Sequence, residues 1–207
     1  MLRKRIRANR FEQALDEIVS FIRNSRKVIS REQINSMINE LVDAYNRNRM
    51  ILVVGAGRSG LVGRAFAMRL MHLGFNVHVL GDTITPAVRK DDIVIAVSGS
   101  GTTKLVVTAA EAAKIVGAKV IAITSYPESP LGSLADLVVQ IPGRTKVARE
   151  SDFFSRQILG IHEPLAPLGT LFEITTMIVL DSIIVALMEK LGQREEDLKE
   201  RHANIEL

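Results

Sequence analysis

The 207-residue chain predicts an α/β fold, a three-layer αβα sandwich around a five-stranded parallel sheet with helical N- and C-terminal extensions. Three observations carry that expectation. Short β-branched apolar runs alternate with segments of helical periodicity, the pattern of repeated βαβ units. The runs are apolar along most of their length, as strands covered by helices on both faces are. Two of them, Met50 to Val54 and Ile93 to Val97, end in glycine- and serine-rich turns that lead into helical segments.

Each element has its own local reason. Phe11, Leu15, Ile18, Val19 and Ile22 recur at helical spacing, and Ser30 with Gln33 forms a capping-box pattern ahead of Ile34, Met37, Ile38, Leu41 and Val42. Two helices therefore precede the first strand. After Met50 to Val54 the expected order is a helix from Leu61 to Leu73, a strand from Val77 to Leu80, and the strand Ile93 to Val97. A helix from Thr103 to Val116 and a strand from Val120 to Thr124 follow, then a short helix led by Ser129-Pro130 and the strand Leu137 to Ile141. A long helix from about Thr170 and a polar one from about Arg194 complete the chain. Residues 1–207 read as one domain: N-terminal helices over 1–49, the sheet over 50–142, a charged, proline-bounded loop over 143–166, and the last two helices over 167–207.

Composition narrows the function. An apolar content of 47% supplies one substantial core. With 27 basic against 23 acidic residues and no tryptophan, no nucleic-acid partner is expected, and the cluster Arg3, Lys4, Arg5 and Arg7 reads as a solvated leader. The absence of cysteine excludes disulfides and thiolate chemistry and suits a reducing, cytoplasmic setting. No membrane partner is expected: the N-terminus lacks an apolar signal segment, and Ile174 to Met188 carries Asp181 and reads as a buried helix. None of the four histidines forms a His-x-His or His-x-x-x-His pair, so no metal site is expected.

The chemistry concentrates in the two turns. Gly55-Ala56-Gly57-Arg58-Ser59-Gly60 and Ser98-Gly99-Ser100-Gly101-Thr102-Thr103 each bring glycines, hydroxyls and a helix N-terminus to the carboxyl end of a strand. That combination suits an anion. Gly57, Arg58, Ser59, Ser98, Ser100, Thr102 and Thr103 are the candidate substrate-binding residues: the four hydroxyls of the second turn suit a terminal phosphate, and Arg58 is a fixed cation whose alternative is a surface ion pair. The spacing Gly55-x-Gly57-x-x-Gly60, with Asp82 downstream, also fits a dinucleotide fingerprint, and a plain glycine-rich turn is the third option. The fixed Arg58 cation and the hydroxyl-rich second turn favour the phosphate. Leu61 stands where a Walker motif requires lysine, which argues against nucleoside triphosphate hydrolysis.

At these residues the chain resembles the SIS (sugar isomerase) domain family, and within it the 6-phospho-3-hexuloisomerase branch. The matching stretches are Gly57 to Gly60, Phe66 to Gly74, Thr85-Pro86, Ser98 to Thr102, Pro167 to Glu173, and Arg201-His202-Ala203-Asn204. The resemblance implies reversible conversion of D-arabino-hex-3-ulose 6-phosphate to fructose 6-phosphate in a ribulose monophosphate route, no organic cofactor, and a homotetramer with shared active sites. Another phosphosugar isomerase of the same fold, or a non-catalytic phosphosugar sensor, stays open.

Moving a carbonyl between C3 and C2 needs one base that takes a carbon-bound proton and returns it. Glu173 is the candidate, near the start of a long helix between Phe172 and Ile174, although Thr170-x-x-Glu173 is also a capping-box spacing. His202, within the matching tail, is the candidate for ring opening or oxygen-to-oxygen proton transfer, acting in its own or a neighbouring subunit. Asp82, Thr83 and Thr85 are secondary candidates for sugar contacts, Arg69 braces its helix or touches ligand, and His72 reads as packing.

Overall fold

The computed structural model describes residues 9–143 and 165–202. The elements run α1 (Arg10–Ser25), α2 (Arg31–Asn46), β1 (Ile51–Gly55), α3 (Gly57–His72), β2 (Val77–Val79), β3 (Ile93–Val97), α4 (Lys104–Val116), β4 (Lys119–Thr124), α5 (Pro130–Leu134), β5 (Leu137–Gln140), α6 (Thr170–Leu191) and α7 (Glu195–Glu200). The five strands form one sheet in the order β2-β1-β3-β4-β5. Every pairing is parallel, with Ile51 beside Val77 and Ile93, Ile93 beside Lys119, and Ile121 beside Leu137.

Alternate residues of each strand serve opposite faces of the sheet, and the core divides accordingly. Ile51, Val53, Ile93, Ile95, Val97, Ile121 and Ile123 pack with α2, α3 and α6 through Met37, Leu41, Phe66, Leu70, Ile183 and Leu187. Leu52, Val54, Val94, Ala96, Val120 and Ala122 pack with α4 and α5 through Val106, Ala110, Ala113 and Leu131. The α4 contact face is built largely of alanine, which lets that helix lie close on the sheet. The sandwich expected from the apolar runs is therefore the one observed.

Among the described residues only α6 is long and apolar enough to cross a membrane, and half of its apolar window is buried inside the fold. It packs on α2 and α3 through Leu180, Ile183, Ile184 and Leu187. The Ser30 and Gln33 pair forms only half of its capping box. The Ser30 hydroxyl accepts from the Gln33 N–H at 3.3 Å, but the Gln33 side chain accepts instead from the N–H of Gln140 at 2.9 Å, which occupies an edge-strand donor of β5.

Strand order places the site. The chain leaves β1 through α3 to reach β2 on one side, and later enters β3 on the other side before continuing to β4. The carboxyl ends of β1 and β3 thus flank the point where the order reverses, a crevice in which helices from the two faces diverge. Both glycine-rich turns open there. Helix α3 begins at Gly57, four residues before the expected Leu61, so that Arg58 and Ser59 lie in its first turn. Helical periodicity could not show this, because Gly57, Arg58, Ser59 and Gly60 present no apolar face.

Candidate functional site

Three helices satisfy their first N–H groups with side chains: Asn9 caps α1, Ser30 caps α2 and Ser129 caps α5. The two that follow the glycine-rich turns do not. The N-caps of α3 and α4, Ala56 and Thr103, make no side-chain cap bond, and neither first turn contains an acid. Each helix therefore presents unfilled donors and the positive end of its dipole to the same space. Gly57 enters α3 at φ 56°, and a Cβ on Gly55 would lie 2.9 Å from Gly60, so the strand end and the helix touch backbone to backbone. Gly57 and Arg58 are exposed and Ser59 is partly so.

Opposite lies the second turn, whose four hydroxyls divide into two pairs. Ser98 is buried, accepts from the Gly101 N–H at 3.2 Å and pairs with the Thr103 hydroxyl at 3.0 Å. Ser98 thus braces the loop through the Gly101 N–H and the Thr103 hydroxyl. Ser100 and Thr102 remain outward, their hydroxyls 3.0 Å apart. Thr103 is half-buried at the head of α4.

Glu173 comes to the same crevice from α6. Its side chain is 11% exposed and its carboxylate accepts from the Nε of Arg58, whose own side chain is 61% exposed. The capping-box alternative is not formed. The N-cap of α6 is Gly169, in the left-handed region at φ 94°, and Thr170 is the first helical residue. The Glu173 carboxylate has turned to Arg58, and a Cβ on Gly169 would lie 3.0 Å from Glu173 Oε1. The first turns of α3 and α6 thus converge, bringing together a carboxylate and a guanidinium.

His202 is not brought there. Its ring stacks on His72 with centroids 4.3 Å apart, at the far end of α3. Fourteen residues of helix separate Arg58 from His72, about 21 Å at the α-helical rise. Within one chain His202 and Glu173 therefore stand at opposite ends of the fold. His72 is buried, as expected of a packing residue, and its Nδ1 makes no hydrogen bond. Burial, then the neighbouring His202 and Arg69, hold its pKa below the ordinary histidine value. Arg201 ties this end down by donating to the His72 carbonyl at 3.0 Å.

Asp82, the acid a dinucleotide would have required, is paired with Arg64 at 2.8 Å. The Thr85 hydroxyl donates to the carbonyls of Val79 and Asp82, each at 2.9 Å, closing the turn after β2. Thr83 is exposed in that turn. Arg69 lies three turns along α3 from Arg58, too far to share its ligand. His78 pairs with the Asn76 side chain at 3.2 Å. The basic cluster Arg3 to Arg7, His162, Ala203 and Asn204 lie outside the described residues, as does most of the 143–166 loop. Among the described residues no three His, Asp or Glu side chains converge as metal ligands would.

Three residues that shape the site are not read as site residues from the sequence patterns. Gly169 makes room for the Glu173 carboxylate, and Thr124 and Ser129 lie behind the hydroxyl turn. The one signal for Gly169 is a glycine directly before a helix start. Thr124 offers none, because a threonine ending a strand is explained by β propensity.

The SIS domain family model matches residues 44–157. A 3-hexulose-6-phosphate isomerase of Bacillus subtilis is 39% identical over 92% of this chain and 96% of its own length. One of Mycobacterium gastri is 46% identical over 75% of this chain and 73% of its own. Among solved structures, the Methanococcus jannaschii protein MJ1247, for which a 3-hexulose-6-phosphate isomerase function was inferred, superposes with a TM-score of 0.74. It shares 34% identity over 92% of this chain and 97% of its own.

Proposed function

The chain belongs to the SIS domain family, and from that membership and the geometry of its crevice we propose that it is a 6-phospho-3-hexuloisomerase, interconverting D-arabino-hex-3-ulose 6-phosphate and fructose 6-phosphate in the ribulose monophosphate route. The observation that carries the reading is the Arg58–Glu173 pair in a fold that also holds an uncapped, hydroxyl-lined turn. The pair supplies a carboxylate base and a fixed cation, and the turn a seat for a phosphate.

The 6-phosphate sits against Ser100, Thr102 and the first turn of α4, with Thr103 at its head and Gly57 and Ser59 completing the opposite wall. Ser98 supports that seat from inside the loop. From the 3-ulose, Glu173 takes the proton on C2, and the electron pair moves into a C2–C3 double bond as the C3 carbonyl becomes an enediolate oxygen. Arg58 swings from the carboxylate toward that oxygen, where negative charge develops and a cation is most effective. Returning the proton to C3 while the C2 oxygen becomes the carbonyl yields fructose 6-phosphate, so one base serves both transfers. His202 opens the cyclic sugar or shuttles the oxygen-bound proton, and because it lies at the far end of its own chain it does so in a neighbouring subunit's crevice. The assembly is accordingly a homotetramer with shared sites, soluble and cytoplasmic, and the reaction asks for no organic cofactor.

Proton NMR in heavy water with fructose 6-phosphate tests this reading. The expected result is deuterium at the carbon next to the carbonyl together with appearance of the 3-ulose, both reduced at least ~10³-fold in Glu173→Gln, the scale of a lost general base. Sugar phosphate binding without any exchange by the wild-type protein would exclude this isomerisation and leave the sensor reading in its place.

A further inference from the structure

The turn that seats the phosphate in the reading above is held from outside as well as by its own bonds. Its glycine carbonyls are held from behind by β4 and α5. The Gly99 carbonyl accepts from the Ser125 N–H at 3.1 Å and from the Thr124 hydroxyl at 3.3 Å. The Gly101 carbonyl accepts from the Leu131 N–H at 3.0 Å, in the first turn of α5. Thr124 is fully buried, and its hydroxyl also accepts from the Tyr126 N–H at 3.2 Å. Gly101, at φ 64°, lies so close that a Cβ there would fall 1.9 Å from Ser129 Oγ and 3.1 Å from Thr124 Oγ1.

The direction of these bonds has a stereochemical consequence. In a trans peptide the carbonyl and the N–H of the next residue point opposite ways. Carbonyls of Gly99 and Gly101 drawn toward β4 and α5 therefore aim the N–H groups of Ser100 and Thr102 the other way. The turn that carries Arg58 follows β1, which lies on the side of β3 away from β4. The Thr102 N–H meets the Ser100 hydroxyl at 3.3 Å. We propose that Thr124, seconded by Ser129 and α5, is a positioning residue for phosphate recognition: its hydroxyl fixes the Gly99 peptide so that backbone donors face the crevice before any ligand arrives. The proposal rests on the phosphosugar reading, and it gives the five-residue helix α5 a purpose that packing alone does not require.

The test compares Thr124→Val, which keeps the shape and removes the hydroxyl, with Thr124→Ser, which restores it. Each is assayed for isomerisation of fructose 6-phosphate and for binding of inorganic phosphate by calorimetry. One lost hydrogen bond is worth up to about tenfold in an equilibrium constant. Thr124→Val is therefore expected to raise KM and the phosphate Kd together by about five- to tenfold, with kcat within about twofold, and Thr124→Ser to return both. If Thr124→Val does not fold, Ser129→Ala loosens the same support through the α5 cap and is expected to move the same two constants. Unchanged phosphate affinity in a folded variant, or a fall in kcat at constant KM, would overturn the proposal. Wild-type protein that binds phosphate without isomerising, with the affinity still falling in Thr124→Val, would overturn the isomerase reading and sustain the positioning role. No phosphate binding by the wild type would overturn both.

Discussion

Glu173 carries its acid at the head of a helix whose N-cap is a left-handed glycine, and this placement separates catalysis from stability at one residue. The Arg58 pair is exposed only on its guanidinium side, the Glu173 carboxylate being largely buried. Gly169 matters in two ways: an L-residue at φ 94° is strained, and its Cβ would press on Glu173 Oε1. Gly192, at the other end of the same helix, shares the left-handed backbone at φ 64°, but a Cβ there would meet nothing within 4 Å. Alanine at either site is expected to cost about 1–2 kcal/mol, a fall in melting temperature of about 3–6 °C. Only Gly169→Ala is expected to lower kcat, by about ten- to a hundredfold, through a displaced base. Thermal melts alongside steady-state kinetics of the two variants check this, and equal kcat in both would mean that the Glu173 carboxylate needs no such clearance.

The elements themselves were largely legible in the sequence, because β-branched runs and 3.6-residue periodicity are local properties. Strand β3 has the expected bounds, and the other strand boundaries move by a residue or so. What periodicity could not show is partnership. Gln33 serves β5, 107 residues away, rather than its own N-cap, and the Glu173 carboxylate turns to Arg58, 115 residues away, rather than to the cap of its helix. At the far end of α3 the packing role of His72 was legible, but its stack on His202 was not. There His72 is buried, with its pKa lowered by burial, by His202 and by Arg69. A histidine that resists protonation when folded adds nothing to the pH dependence above the unfolded value near 6.5, and it withdraws stability as pH falls below that value until its folded pKa is reached. Asp136 behaves otherwise. Burial works to raise its pKa, but the Lys114 hydrogen bond, the Val120 N–H, and the charges of Lys114 and Lys119 together bring it below the usual carboxylate value, so its contribution persists until more acid pH. Between pH 7 and 5 the melting temperature of the wild type is therefore expected to fall more steeply than that of His72→Phe, which cannot titrate. Parallel slopes from differential scanning calorimetry would show that the stacked pair does not govern this end of the fold.

At the scale of the whole molecule, two features of one chain ask for another. The α1 face bearing Phe11, Leu15 and Val19 is 73%, 50% and 49% exposed, and α6 leaves Ile178 and Val185 at 43% and 66%. Between these helices and α2 runs a groove of about 630 Å³ lined by Ile22, Ile34, Ile38 and Ile178. Apolar surface of that extent is what subunit contacts cover. The second feature is the distance between Glu173 and His202, which lie beyond each other's reach within one chain. If a working crevice takes Glu173 from one subunit and His202 from another, Glu173→Gln and His202→Ala proteins are each inactive alone. In an equal random mixture, a site is intact when its Glu173 comes from the His202→Ala chain and its His202 from the Glu173→Gln chain. Each condition is met half the time, so about a quarter of wild-type activity is expected after co-refolding or subunit exchange. Sites confined to one chain would recover none, since every chain carries one lesion. Recovery near a quarter, measured against the same mixture before exchange, therefore separates a shared site from a private one, and no recovery would place the partner of Glu173 elsewhere in its own subunit.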